Sequence, residues 1–389
     1  MNLTTLRVGF VPLLDMAPIV IAHEMGFAAE EGLGLDLQHA PSWSSLRDML
    51  LWGQVDAAQM LAPLPVAMAL GLGGAVERLD ILQVLSVNGD VIGVSQALAG
   101  RLRSVGHDFG FSDAARARDA LAQTADGTVR IGVPFPLSTH VELIRYWLRD
   151  APIDYALCTI PPTRMVEALA AREIDAFCVG EPWGSVAVEL GVGTLLLPSR
   201  AIWAVAPEKV LAARHDWVRE NPNLTGRLMR AIWRAARWLS VPGNRLIASD
   251  ILAQSEYVNV PVDLLERSLR GEMVISAQGE LRQVPDMIRF FDGAASFPWR
   301  SQAAWFAARM AARHGLDMGH SIAAAKAICR TDLYRRNLRS AGADLPGASE
   351  KLEGSLHHAM AVASERGQMI LAPDSFFDGQ IFDSSAIGC

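Results

Sequence analysis

The stretch Leu6 to Gln38, LRVGFVPLLDMAPIVIAHEMGFAAEEGLGLDLQ, decides the fold. Leu6 to Val11 is a short apolar run that stops at Pro12, a residue unable to donate to a sheet ladder. Ala17 to Glu30 then carries apolar residues at helical spacing and ends before Gly32, and Leu35 to Gln38 reads as a second strand. This is a strand, loop, helix, strand sequence in about the length of one βαβ unit. Working outward, Ser44 to Trp52 is a second helix and Asp56 to Leu61 a third strand, closed by Ala62-Pro63-Leu64-Pro65. The alternation recurs through Ile81 to Val87, Val91 to Ser95, Val129 to Val133, Tyr155 to Ile160, Ala176 to Val179 and Thr194 to Leu197. Strands separated by helical stretches imply parallel-type sheets covered on both faces.

Beyond about Val210 the pattern changes. Asn223 to Ser240, Asn244 to Gln254, Val262 to Arg270, Ser301 to His314 and Ile322 to Arg339 read as helices with no clear strands between them. Polar Arg101 to Gly127 carries the chain from one α/β unit to another, and the tail after about Gln380 is expected to be loosely held. With 389 residues, against about 150 for one domain, two or three packed units are expected.

Hydrophobic residues make up 51% and charged residues 20%, which excludes disorder and coiled coil. A net charge of -7 gives no basic field for wrapping nucleic acid, so no direct nucleic-acid ligand is expected. Cys158, Cys178, Cys329 and Cys389 are far apart, with no His at zinc-ligand spacing, so neither a disulfide framework nor a metal site is signalled. The first residues lack a basic segment followed by an apolar run, and no stretch has the length of a membrane span; a cytoplasmic location is expected. Only Lys209, Lys326 and Lys351 supply lysines.

No nucleophile elbow, phosphate loop or dinucleotide fingerprint occurs, so nothing demands an enzyme and no cofactor is expected. Four local features carry more. Ser42-Trp43-Ser44-Ser45 precedes a helix, where free N–H groups favour an anion; a packing Trp with Ser caps fits equally well. Pro136-Leu137-Ser138-Thr139-His140 follows a strand and opens a helix, as an anion seat or as simple capping. Cys178-Val179-Gly180-Glu181-Pro182-Trp183 suits a crossing between lobes, or only a turn. Ala206-Pro207-Glu208-Lys209-Val210 sets a lysine before an apolar run, where solvation is the ordinary fate of a lysine.

In chain order, Gly9-Phe10-Val11-Pro12-Leu13-Leu14-Asp15, Pro41-Ser42-Trp43 with Arg47-Asp48, Ala62-Pro63-Leu64-Pro65, Asn88-Gly89, Ser138-Thr139-His140 with Arg145-Tyr146-Trp147-Leu148, Gly180-Glu181-Pro182-Trp183, and Pro207-Glu208-Lys209 with Trp217-Val218 and Asn221-Pro222 form a series. Over about residues 5 to 300 it resembles the nitrate- and bicarbonate-binding proteins of ABC transporters. The resemblance implies a two-lobed, type II periplasmic-binding-protein-like α/β fold with a helix-rich C-terminal extension. Lobe 1 would take residues 1–98 and 200–389, and lobe 2 residues 99–199. It implies an anion held by Trp43, His140 and Lys209, with Thr139 beside them. The nitrate binders also use a glutamine in the motif that begins Asn88-Gly89; here Asp90 stands there, with Gln96 farther on. An ionised Asp90 facing nitrate is repulsive, so it is expected to point away, carry a proton or act only through backbone. His140, at a helix N-terminus, is expected to be neutral without ligand. Bicarbonate binders of the family have an acidic residue at the lysine position and recruit a metal ion, so Lys209 implies nitrate or nitrite and no metal.

With no export leader in view, the chain most resembles cytoplasmic nitrate/nitrite sensors of the NasS type. That implies sequestration of an RNA-binding antiterminator with an ANTAR domain, released when the anion binds, and so control of nitrate assimilation genes. The alternatives are the substrate-binding component of a nitrate/nitrite, bicarbonate or cyanate ABC transporter and, without the histidine- and cysteine-rich segment it would need, a thiamine-pyrimidine-synthase-like enzyme.

Overall fold

The computed structural model describes residues 3–74 and 77–386. The strands in chain order are β1 (Thr4–Phe10), β2 (Leu33–His39), β3 (Ala57–Leu61), β4 (Leu79–Asn88), β5 (Asp90–Ser95), β6 (Val129–Val133), β7 (Tyr155–Thr159), β8 (Ala176–Gly180), β9 (Gly193–Pro198) and β10 (Pro207–Arg214). They form two sheets. One runs β4-β10-β3-β1-β2, with the short strand Ile288–Arg289 outside β4, and the other runs β7-β6-β8-β5-β9. β1 pairs in parallel with β2 and β3, and β6 with β7 and β8.

One long strand in each sheet runs against the rest. β10 is antiparallel to β3 and β4, and β5 is antiparallel to β8 and β9. These are the strands through which the chain enters lobe 2 and returns. Each parallel-type sheet thus carries one antiparallel strand, because a strand reached by direct crossing has no helix to turn it round. The lobe boundary also moves. Residues 90–98, expected in lobe 1, belong to lobe 2: β5 pairs wholly within the second sheet, so the first crossing falls at Gly89 and the return at 199–206.

All ten residues of β4 are buried, as a strand covered on both faces requires. On its outer side, helix Pro222–Leu239 turns Leu228, Met229, Ile232, Ala235, Ala236 and Leu239 inward, into the same core as Ile19, Val20 and Ala22 of helix Ala17–Glu24. That first helix is shorter than its spacing suggested, because Gly26, at φ +78°, ends one helical piece and starts Phe27–Glu30.

The C-terminal half is mainly helical as expected, but the single helix expected over Ile322 to Arg339 is two, Met318–Ile328 and Thr331–Leu338, and there are two small hairpins, Glu272–Val274 with Leu281–Gln283 and Met360–Ala361 with Ile370–Leu371. Strands so short show no alternation to read. The tail is held as far as it is described. Phe382 bridges Glu353, Ser384 donates to Glu350, and Phe376 stacks on Trp203 with ring centroids 4.9 Å apart. Cys389 lies outside the described residues; Cys158, Cys178 and Cys329 are free thiols.

Candidate functional site

The two crossings are tied to each other, and this builds the site. At the first, Asn88 (φ +61°) and Gly89 (φ +99°) turn the chain from β4 into β5, so that Asp90 is the first residue of lobe 2. The Asn88 amide donates to Ala204 O at 3.0 Å, and its Oδ1 accepts from Ala206 N at 3.1 Å. The outgoing and returning strands are thus pinned side by side, which sets Asp90 near Glu208 and Lys209 of β10.

His140 arrives from lobe 2. Ser138 caps helix Thr139–Trp147 by accepting from Val141 N at 3.3 Å, which fixes the first turn with His140 buried. Its Nε2 lies 3.0 Å from Asp90 Oδ1 and its Nδ1 3.4 Å from Glu208 Oε1, both too poorly aligned to be formed hydrogen bonds. The Thr139 hydroxyl is spent on Pro207 O at 3.0 Å. Trp43 arrives from lobe 1 as the first residue of a helix capped by Ser42, and its ring centroid lies 5.1 Å from Lys209 Nζ. Trp43 Nε1 is buried and has no partner among the described residues. Trp43 is therefore both packed and equipped with a free donor.

Lys209 is not a free charge. Its ammonium contacts Asp15 Oδ2 at 2.8 Å and Glu208 Oε1 at 2.5 Å. Gln59 donates to the other oxygen of Asp15 and accepts from Val11 N, so the carboxylate is held in place. Asp15, Gln59 and Glu208 join the site although their local sequence assigns them no role in it. The signal for Asp15 was position, since it follows β1 and ligands to open α/β sheets gather beyond the carboxyl ends of parallel strands. Gln96, the suggested fourth contact, is instead exposed at the far end of β5 and donates to Gly191 O and Gly193 O.

Three buried carboxylates, Asp15, Asp90 and Glu208, thus face one ammonium and one imidazole. Burial alone would strip the Lys209 proton, but Asp15, Glu208 and Asp90 outweigh it and hold the ammonium more firmly than usual. Burial likewise opposes a charged His140, and Asp90 with Glu208 overcomes it, so its pKa is raised. The shift runs opposite to the one a helix N-terminus alone would give, because two adjacent carboxylates outweigh it. Glu208 and Asp15 are pushed up, first by burial. Asp90 does not point away, as an anion site alone would require; it faces His140.

Residues 1–253 match the NMT1-like family. The chain belongs to that family. It is 31% identical over 384 residues to the nitrate import ATP-binding protein NrtC of Synechocystis sp. PCC 6803, covering 97% of this chain and 53% of that one. The chain therefore spans about half the length of that relative. The nitrate/nitrite binding protein NrtA of the same organism is 32% identical over 317 residues, 78% of this chain and 69% of that protein. The crystal structure of the periplasmic nitrate-binding protein NrtA from Synechocystis superposes with a TM-score of 0.82 at 27% identity, covering 99% of this chain and 96% of that one. This family member accordingly has the two-lobed periplasmic-binding-protein fold, with its buried polar cluster where the lobes meet.

Proposed function

We propose that the chain is the substrate-binding component of an ABC import system and takes nitrate or nitrite between its lobes, binding without catalysis. The observation that carries this reading is the convergence of Trp43, His140 and Lys209 at the paired crossings, with donors from both lobes and Trp43 Nε1 unpartnered. A planar monovalent anion is weakly hydrated, so its transfer into a dry cleft costs less than that of sulfate. Calorimetric titration with nitrate, nitrite and bicarbonate tests it. Saturable binding of one anion per chain is expected for nitrate or nitrite; absence of heat with all three ends the reading.

A second reading is favoured by the acceptors. Asp90 Oδ1 and Oδ2 and Glu208 Oε2 are buried without a hydrogen-bond donor among the described residues, and nitrate has no hydrogen to give them. An oxoanion that carries a proton, such as hydrogencarbonate, has one. Preference for bicarbonate over nitrate, reversed in Asp90→Asn, would select this ligand. The cytoplasmic sensor with an ANTAR-domain partner uses the same cleft and rests on resemblance alone; cell fractionation separates it from an import component.

A further inference from the structure

Protein interiors pack closely enough that voids much larger than a water molecule are few. On the outer side of lobe 1, a cavity of about 380 Å³ nevertheless opens between helix Pro222–Leu239, helix Thr331–Leu338, the 291–297 loop and the hairpin at 360–371, and it shares no residue with the cleft. Its volume lies within the range of about 300–1,000 Å³ that small-ligand sites take. Its walls are aromatic. Trp233 and Phe291 form one edge-to-face pair with ring centroids 5.3 Å apart, and Phe297 and Tyr334 form a second at 5.2 Å. Its charge is all of one sign, since Asp292 and Asp344 line it and no lysine, arginine or histidine does so among the described residues. Asp344 accepts from Ser364 Oγ at 2.7 Å and from the backbone N–H groups of Arg366 and Gln368. Asp292 is the exposed one of the two. Arg289, the arginine nearest to it in sequence, pairs instead with Asp286 at 2.5 Å.

We propose that this cavity is a second binding site, for a small protonated amine with an aromatic or other apolar body. Ring faces and carboxylates both attract positive charge, the first through the ring quadrupole and the second through full charge. The rings do so within the chain already: Arg335 lies 5.0 Å from the centroid of Phe297 and Arg237 5.9 Å from that of Trp233, and neither guanidinium lines the cavity. The ammonium would meet Asp292, and the apolar body would lie among the two ring pairs. Ser296 Oγ and Tyr334 Oη, bonded to each other at 2.7 Å, keep lone pairs that a further N–H can use. An anion would face two like charges, and a neutral body of the same shape would fill the walls but gain nothing from Asp292. Because the cavity is separate from the cleft, this inference requires neither an anion between the lobes nor their closure.

The full chain at neutral pH is titrated calorimetrically with benzylamine and separately with benzyl alcohol, which keeps the ring and lacks the charge. One benzylamine per chain is expected, with benzyl alcohol at least tenfold weaker. A charge-assisted contact is worth about tenfold to a hundredfold in affinity, so Asp292→Asn should weaken benzylamine by that factor and leave benzyl alcohol unchanged. Phe291→Leu keeps an apolar side chain without the ring and should weaken both, with circular dichroism confirming that both variants fold. No saturable binding of benzylamine, benzyl alcohol binding as tightly as benzylamine, or benzylamine affinity unchanged in both folded variants overturns the assignment. The benzylamine titration is repeated in saturating nitrate. Equal affinity is expected, whereas competition would place the amine among the carboxylates of the cleft and remove the second site while leaving the anion reading standing.

Discussion

Lys209 keeps its charge in a dry cleft because Asp15 and Glu208 flank it, so removing it does two things at once. Lys209→Met leaves two buried carboxylates without their cation, which costs about 3–5 kcal/mol of stability. It also removes a charge-assisted contact to an anion, weakening binding about tenfold to a hundredfold. Adding Asp15→Asn should restore much of the melting temperature but not the binding, and calorimetry beside thermal melts separates the two. Glu181 gives a cleaner titration. Burial lifts its carboxyl from an ordinary 4.5 to about 7, although Ser185 and Ser268 donate to it. Because the folded state holds the proton more tightly than the unfolded chain, the stabilisation is complete below pH 4.5 and lost as pH rises through 7. The difference amounts to about 3 kcal/mol. Glu181→Gln should therefore unfold at higher urea than wild type at pH 8, with the gap closing towards pH 4.5. At this scale Trp43, His140 and Lys209 were legible because each sits in a tight local motif. Asp15 showed only its position after a strand and Glu208 nothing, since a lone carboxylate does not reveal the cation it meets across the fold.

The helix Thr139–Trp147 positions His140, and its start depends on the hydroxyl of Ser138. Ser138→Ala should cost about 1 kcal/mol, read by urea unfolding, and should reduce anion affinity because His140 lies two residues from the lost cap. β5 has a tighter constraint. A Cβ on Gly93 would come 2.2 Å from Phe177 Cζ on the neighbouring β8, so Gly93→Ala must displace the ring. Overpacking of this kind costs about 1–3 kcal/mol, and a melting curve unchanged from wild type would show that the ring yields freely. The same strand marks the limit of reading elements from sequence. Val91 to Val94 is plainly a strand, but its apolar residues would suit either lobe, and only its pairing with β8 and β9 assigns it to the second. Asn88-Gly89 was visible as a turn signal; that the Asn88 side chain would pin the returning crossing was not.

At the scale of the whole molecule, the site is sealed, so a ligand enters only if the lobes part. Hydrogen bonds join the lobes beside the site, among them Trp183 Nε1 to Pro12 O at 3.0 Å, Leu14 N to Glu181 O at 2.9 Å, and Thr139 Oγ1 to Pro207 O. The C-terminal extension adds more, since Arg313 pairs with Glu142 of lobe 2 and the Tyr146 hydroxyl donates to Asp378 at 2.8 Å. An extension that the sequence attached to lobe 1 thus grips both, which helical periodicity could not reveal because it says nothing of the partner a helix face will meet. Trp183→Phe removes one joining bond while keeping an aromatic ring in its place. A neutral hydrogen bond is worth about 0.5–1.5 kcal/mol, so the closed form should lose about twofold to tenfold in population relative to the open one. Since the anion is enclosed only by the closed form, its apparent affinity should fall by up to the same factor, through faster release. X-ray scattering checks the cause, because the ligand-free variant should have a larger radius of gyration than wild type and saturating anion should bring the two together. Equal radii without ligand, together with equal affinities, would mean that Trp183 packs at the crossing without biasing closure, which is then set by the remaining joins and the C-terminal grip.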